Sequence, residues 1–353
     1  MKSLDQILGY VDIDAVTKAI MLGRSITVDG FARRPIRVLT HAHSDHLVGL
    51  KDSIIYSNHI IATPATLELV VELEYVPSRY KAIYKRKAIG LDYYQTVEFN
   101  REKIMLLPSD HILGSAQVLV EVDEYRLGYT GDFKLGGKTA VMKDLDVLVI
   151  EATYGHPDIR RVFKEDVIDL VIDLVIEGLR KYGKVAVYGY YGKLQEVMAI
   201  LREYGISEPF VMNHRMYSVT KIAEKYGLNI GCYFRLGTQE AREVVDSGRY
   251  IVFEHMVKAK RRRLDGTILN LVLSGHEYNE PIRRVDQYTW LASFSDHADF
   301  DELMEYVERA NPKFIVVDAS REGYPHVFAR ELQRRGWKVA VLPREREIRG
   351  KHR

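Results

Sequence analysis

Thr40-His41-Ala42-His43-Ser44-Asp45-His46 places three imidazoles and a carboxylate within six positions, in the pattern His-x-His-x-Asp-His. It follows the apolar run Ile36-Arg37-Val38-Leu39, which has strand character. The ligand-type side chains therefore stand where a buried strand gives way to a loop, a common place for an active site. Imidazole nitrogen and carboxylate oxygen suit zinc, iron and manganese. His41 and His43 can converge on one ion while Asp45 and His46 turn toward a second. The plain alternative is a polar turn carrying ordinary surface histidines, but an apolar strand seldom ends by chance in such a set.

The same arrangement recurs on either side. Upstream, Ser25 to Gly30 reads as a strand ending in an acid and a glycine. Asp29 is placed either to accept a hydrogen bond from a metal-bound histidine, fixing its tautomer, or to be a solvated turn residue. Downstream, Ile104 to Pro108 leads into His111 beside Gly114, giving a third imidazole for the first ion. Tyr125 to Thr130 runs into Gly131-Asp132, whose carboxylate can bridge both ions, and Asp146 to Ile150 ends at Glu151. Successive strands thus deliver a ligand or an acid at one end.

Composition narrows the setting. The 353 residues are 46% hydrophobic, enough for more than one core. Lys+Arg 51 against Asp+Glu 49 leaves a net charge of +2, so attraction to a polyanion must come from local patches. Cys232 alone makes no intramolecular disulfide and excludes a thiolate zinc site, which fits a reducing compartment. No leader-like apolar segment opens the chain, and no apolar run approaches the ~20 residues of a membrane span. A cytoplasmic protein, not a membrane one, is expected. Monomer and homodimer both remain open.

The remaining pattern predicts a helix over 4–22, strands at 54–56 and 60–62, and a helix over 64–73 with Pro64 in its first turn. Between 75 and 94, Arg79, Lys81, Lys85, Arg86 and Lys87 interleave with Tyr75, Tyr80, Tyr84, Tyr93 and Tyr94. This is either a track for phosphates and unpaired bases or a solvated helical face with half-packed rings. A helix over 160–182, a strand at 185–188, a helix over 193–204 and a strand at 268–273 give an α/β alternation. Gly189-Tyr190-Tyr191-Gly192-Lys193 leaves a strand for a helix, so Gly192 amide and Lys193 are candidates to hold a terminal phosphate. Lys258, Lys260, Arg261, Arg262 and Arg263 form the densest cationic run, a nucleic-acid track or a solvated loop. His59, His156, His214, His255, His276, His326 and His352 lack the strand-end context and are left out of the site.

Taken together, Asp29, the run His41 to His46, His111 and Asp132 resemble the successive motifs of the metallo-β-lactamase superfamily. Glu151 in Ile-Glu-Ala-Thr-Tyr-Gly and His297 in Ser293-Phe294-Ser295-Asp296-His297-Ala298-Asp299 resemble the first two motifs of its β-CASP nuclease branch. Within that branch the chain is most similar to crosslink-repair and ligase-associated exonucleases and to archaeal mRNA 3′-end processing factor-like proteins. The resemblance implies an α/β fold: an αββα sandwich from 1–155 and 294–353, with an α/β β-CASP cap inserted at 156–293.

It also implies a two-metal phosphodiesterase acting on a single strand in the cleft between sandwich and cap. His41, His43, His111 and Asp132 would hold the first ion, and Asp45, His46, Asp132 and Asp318 the second. His297, oriented by Glu151, would protonate the departing oxygen. Asp318 departs from the pattern, since RNA-cleaving members place a histidine at this strand end and crosslink-repair members an apolar residue. Its oxygens would make the second site favour Mn²⁺ or Mg²⁺ where the first takes Zn²⁺. The expected activity is a 5′→3′ exonuclease with DNA somewhat favoured, in DNA repair or processing. A β-CASP ribonuclease in RNA processing comes next, then a catalytically silent nucleic-acid-binding subunit. A small-molecule hydrolase would lack the cap, Glu151 and His297.

Overall fold

Short runs of Val, Ile and Leu make many of the strands, and central ones such as Ile26–Val28, Val147–Ile150 and Phe314–Asp318 are buried throughout, as strands covered on both faces must be. The computed structural model describes residues 8–261 and 266–344 and divides into two units, Met1–Arg160 with His297–Arg353, and Arg161–Asp296.

In the first unit one six-stranded sheet runs, in both spatial and chain order, Val11–Ile13, Ile20–Leu22, Ile26–Val28, Ile36–Val38, His59–Ala62 and Ala88–Gly90. A seven-stranded sheet runs Val339–Leu342, Phe314–Asp318, Val147–Ile150, Tyr125–Tyr129, Ala116–Val122, Glu102–Pro108 and Thr96–Phe99. Val28, Val38, Val118, Tyr129, Val149 and Val316 fill the core between the sheets. The other face of the second sheet, through Leu148, Ile150, Ile315 and Val317, packs on Phe300, Leu303, Val307, Phe328 and Leu332 of helices Phe300–Ala310 and Pro325–Arg334. Helices Pro64–Glu72 and Lys81–Lys87 lie against the first sheet. The architecture is the αββα sandwich expected.

Two expectations are corrected, and one left open is narrowed. Instead of a helix over 4–22, Val11–Ile13 and Ile20–Leu22 form a hairpin. The Asp14 carboxylate accepts the N–H groups of Val16 and Thr17 in its turn, each at 2.8 Å, and Lys18 takes a left-handed conformation, φ 57°. Residues 4–7 of that stretch lie outside the described part. Ile54 to Tyr56 belongs to helix Leu50–Tyr56 and not to a strand, because Leu50, Ser53 and Ile54 are buried while Ile55 and Tyr56 face solvent, a helical spacing. The tyrosine and lysine tract at 75–94 is partly structural. Tyr84 is buried and donates to the Leu67 carbonyl, and Lys87 donates to the Ile54 and Ile55 carbonyls that close a helix.

In the second unit a seven-stranded sheet runs Tyr233–Arg235, Phe210–Met212, Tyr250–His255, Lys184–Gly189, Leu269–Ser274, Thr289–Ser293 and Ile282–Arg284. Every pairing is parallel except the last. Its long helix is Lys164–Tyr182, shorter at its start than the expected 160–182, and Gly183 ends it at φ 74°. Residues 156–160 stay with the first unit: Ile159 accepts the Phe300 N–H at 3.1 Å and Arg160 Nε donates to Asp301 at 2.9 Å. In the cationic run, Lys258 pairs with Glu254, whereas Arg262 and Arg263 lie outside the described residues, as does His352.

Two residues beyond His297, Asp299 opens helix Phe300–Ala310 with a reciprocal cap, accepting the Glu302 N–H at 3.1 Å while Glu302 accepts the Asp299 N–H at 3.0 Å. Asp299→Ala is expected to lower stability by about 1 kcal/mol, read as a lower urea midpoint at unchanged slope.

Candidate metal centre

Asp29 and Gly30 both adopt left-handed conformations, φ 39° and 70°, at the end of strand Ile26–Val28. A Cβ on Gly30 would fall 2.3 Å from the Lys18 and Ala19 backbone, so only glycine permits this turn. The turn aims the fully buried Asp29 carboxylate at the 40–46 loop, where it accepts the Thr40 N–H at 3.0 Å and the Thr40 hydroxyl at 2.6 Å. His46 Nδ1 stands 2.6 Å from Asp29 Oδ2, and His41 Nδ1 stands 3.0 Å from Thr40 Oγ1. Because Thr40 gives its proton to Asp29, it accepts from His41. Both rings thus carry a proton on Nδ1 and turn Nε2 inward. From behind, the buried Arg37 donates to the His46 carbonyl at 2.9 Å and to Ser53 Oγ at 3.1 Å, which fixes the loop.

The other ligands arrive from the second sheet. Gly131, φ 56°, lets the chain pass Thr40 closely and presents Asp132. Ser109 donates to the Asp132 carbonyl at 2.8 Å, tying the His111 loop to it. One potential ligand atom each from His41, His43, His111 and Asp132 falls in a group no more than 4.8 Å across. Asp132 Oδ2 lies 3.7 Å from His41 Nε2, 3.8 Å from His111 Nε2 and 3.1 Å from His46 Nε2, and Asp45 Oδ2 lies 3.4 Å from His46 Nε2. Asp132 therefore faces two groups of donors at once. Among the described residues, His41 Nε2 and His46 Nε2 are buried without a hydrogen-bond partner. Such orphans are costly unless another group meets them, and imidazole and carboxylate donors fit a divalent metal.

Electrostatics agree with that fit. Burial, aided by the charges of His46 and His111, holds His41 well below the ordinary imidazole range and therefore neutral. Burial opposes the charge of Asp132, yet His46 and His297 outweigh it and hold its carboxyl well below the usual range. Burial also opposes the His46 cation, but Asp132 and Asp29 push it up to about 10 in the metal-free chain.

Beside this cluster, Glu151 Oε1 accepts the Phe133 N–H at 2.9 Å, while Oε2 accepts from Thr153 Oγ1 at 2.5 Å and lies 3.2 Å from His297 Nδ1. The His297 and His111 rings meet edge to face at 4.8 Å. Arg37, Thr40 and Thr153 were not picked out by the sequence reading; an arginine inside an apolar strand was the one available signal.

Two sequence expectations are corrected. Asp318 does not join the ligand group, because Oδ1 accepts from the Ser320 N–H and hydroxyl at 2.8 and 2.6 Å and Oδ2 from Arg321 at 2.7 Å. The case for a hard cation loses its third carboxylate with it. In the second unit Lys193 Nζ is spent on Asp296 at 3.1 Å, both side chains being buried. The amides of Gly192 and Leu194 already donate to Gln195 Oε1 at 2.8 Å and the Tyr190 carbonyl at 3.2 Å. A terminal-phosphate pocket at Gly192-Lys193 therefore lacks its cation.

Known proteins supply the class. Residues 281–343 match the family described as Zn-dependent metallo-hydrolase RNA specificity domain. An uncharacterized protein in the lig 3′ region of Acidianus ambivalens is 46% identical over 141 residues, 40% of this chain and all of that one. A probable DNA ligase of Opitutus terrae is 26% identical across 88% of this chain, and transcription termination factor FttA of Pyrococcus horikoshii 24% identical across 78%. The chain spans only 29% and 55% of those two longer relatives. A crystal structure of a protein of unknown function from Enterococcus faecalis shares the fold, with TM-score 0.59 and 14% identity over 88% of this chain and 79% of that one. Fold, centre and relatives define a metal-dependent hydrolase. The chain belongs to the β-CASP nuclease branch of the metallo-β-lactamase superfamily.

Because a metal takes only neutral imidazole, an ion binding His46 must displace its proton at any pH below about 10. Zn²⁺ binding to the metal-free protein at pH 8 should release protons, seen as a calorimetric enthalpy that varies with the buffer's ionisation enthalpy. Lys193→Ala should leave preference between 5′-phosphate and 5′-hydroxyl ends unchanged. It should instead lower the melting temperature by breaking the buried ion pair with Asp296.

Proposed function

We propose that this protein hydrolyses phosphodiester bonds of single-stranded nucleic acid at the histidine–aspartate centre, favouring DNA and trimming from the 5′ end. The observation that carries hydrolysis is the placement of a carboxylate-held histidine, His297 on Glu151, against the ligand cluster. Two divalent ions, Zn²⁺ or Mn²⁺ with these donors, would supply an acidified water and draw charge off the phosphoryl oxygens. His41, His43, His111 and Asp132 would hold one, and Asp45, His46 and Asp132 the other. Thr40 and Asp29 hold the Nδ1 protons of His41 and His46, so that Nε2 of each ring is the nitrogen that faces the ions. Glu151 fixes the His297 ring through Nδ1, so that Nε2 can hand a proton to the departing 3′ oxygen.

Similarity to the probable DNA ligase over most of the chain supports DNA as substrate and a role in repair or processing. The RNA reading has its own support, the match at 281–343 to a domain described by RNA specificity. Among the described residues no helix is long and apolar enough to cross a membrane.

Asp45→Ala and His297→Ala should each lower kcat by about a hundred- to ten-thousand-fold. Thermal midpoints should hold, because Asp45 is 47% and His297 20% exposed at the side chain. Retained activity in either sinks its assigned role. End-labelled single- and double-stranded DNA and RNA decide the rest: mononucleotides released first from 5′ ends of single-stranded DNA are expected, and internal cuts appearing first would make the enzyme an endonuclease.

A further inference from the structure

Three rings of the second unit stand outside the chemistry of the metal centre. Strands Lys184–Gly189 and Tyr250–His255 run side by side and parallel, and they end in register, Gly189 opposite His255. From there the chain departs to opposite faces of the sheet. Ala186 and Tyr188 share an apolar cluster with Ala259 of helix Met256–Arg261. Gly189, next in the alternation, faces Leu194 of helix Lys193–Glu203, and a Cβ on it would fall 3.0 Å from that side chain. Where neighbouring parallel strands send their connections to opposite faces, the sheet opens outside its carboxyl ends, a recurrent position for ligands. Aromatic rings occupy this edge. The His255 ring meets Tyr190 edge to face at 5.3 Å and Tyr191 at 4.7 Å, with the latter two planes tilted by 42°. The Val257 N–H donates to His255 Nδ1 at 3.3 Å, which fixes the ring. Tyr190 is 41% exposed, and Tyr191 and His255 are half-buried.

We propose that Tyr190, Tyr191 and His255 form a base-stacking site that holds an unpaired base of a nucleic-acid strand. The inference rests on the reading of this protein as a nuclease of single strands, and it adds a binding site distant in sequence from the histidine–aspartate motifs. Exposed rings alone would suit many partners. The chain leaving His255, however, carries Lys258, Lys260, Arg261, Arg262 and Arg263 with no acid among them. That uninterrupted positive charge selects a polyanion bearing flat groups: rings take the bases while cations take the phosphates. Because every base has a face that stacks, the site is indifferent to base sequence. No bond forms or breaks there, so its loss shows in affinity.

Fluorescence anisotropy of a short labelled single-stranded DNA, bound to the full chain carrying Asp45→Ala so that it is not cut, tests this. Adding Tyr190→Ala should raise Kd by about tenfold, whereas Tyr190→Phe, which keeps the ring, should leave it near the parent value. Tyr190→Leu, apolar and of similar bulk, carries the same expectation as the alanine variant and replaces it should that one not fold. A strand of equal length built from abasic units keeps the phosphates and lacks the bases. It should bind more weakly than the intact strand and lose nothing further in Tyr190→Ala. An equal Tyr190→Ala loss on the abasic strand, or no loss on the intact one, would overturn the proposal. So would free dAMP binding as tightly as the strand, which would make the site a mononucleotide pocket. A parent chain that binds no strand, with a wild type that cuts none, would defeat the functional reading itself; binding and hydrolysis that ignore Tyr190 would sink the stacking site alone.

Discussion

An imidazole ligates only through a nitrogen that carries no proton, and in this protein one buried carboxylate decides which nitrogen that is. Asp29 accepts from His46 directly and from Thr40, which in turn accepts from His41, so both rings present Nε2 to the same interior point. Without that acceptor the tautomers would be unfixed and two buried nitrogens would lose their orientation. Much of the surrounding structure serves this arrangement. The glycine turn at Gly30 aims Asp29, Arg37 anchors the His46 carbonyl, and the closeness of Gly131 to Thr40 brings Asp132 across from the second sheet.

The sandwich makes such a site natural. Strands buried between layers end together at one edge, and the loops that follow escape the demand for apolar side chains while staying fixed by the strands behind them. Val38, Tyr129 and Ile150 are core residues, and within three positions each is followed by a chemical one: His41, Asp132 and Glu151. The cost is a concentration of charge in a dry place, which the protein meets by pairing. Asp132 is offset by histidines, Glu151 by a backbone amide, Thr153 and His297, and Asp318 by Arg321.

Misreadings from sequence have physical causes. The stretch from Val11 to Leu22 mixes apolar and polar residues at a spacing that accommodates a helix, yet strands of three residues are too short to show a period of two. Ile54 and Ile55 have the branching of strand residues, but Leu50, Ser53 and Ile54 together define a helix face, so tertiary burial overrides propensity. Lys193 beside Gly192 has the local chemistry of a phosphate loop; its buried partner Asp296 lies 103 positions away and is invisible to local reading.

The family resemblance carried by the sequence implied the αββα class, and the sequence alone picked out the candidate ligands His41, His43, His111 and Asp132 that the structure brings together, because an apolar run ending in His, Asp or Glu is a local pattern, and its repetition along the chain does not depend on how the strands pair. Asp29 as a partner for a histidine was legible for the same reason. Tertiary structure decided what depends on distance through space: that His46 and not another ring meets Asp29, that Arg37 braces the loop, and that Asp318 is held by Arg321 instead of facing an ion. A carboxylate at a strand end has the same letter whether it meets a metal or a guanidinium. Only the geometry of the loop three residues later distinguishes them.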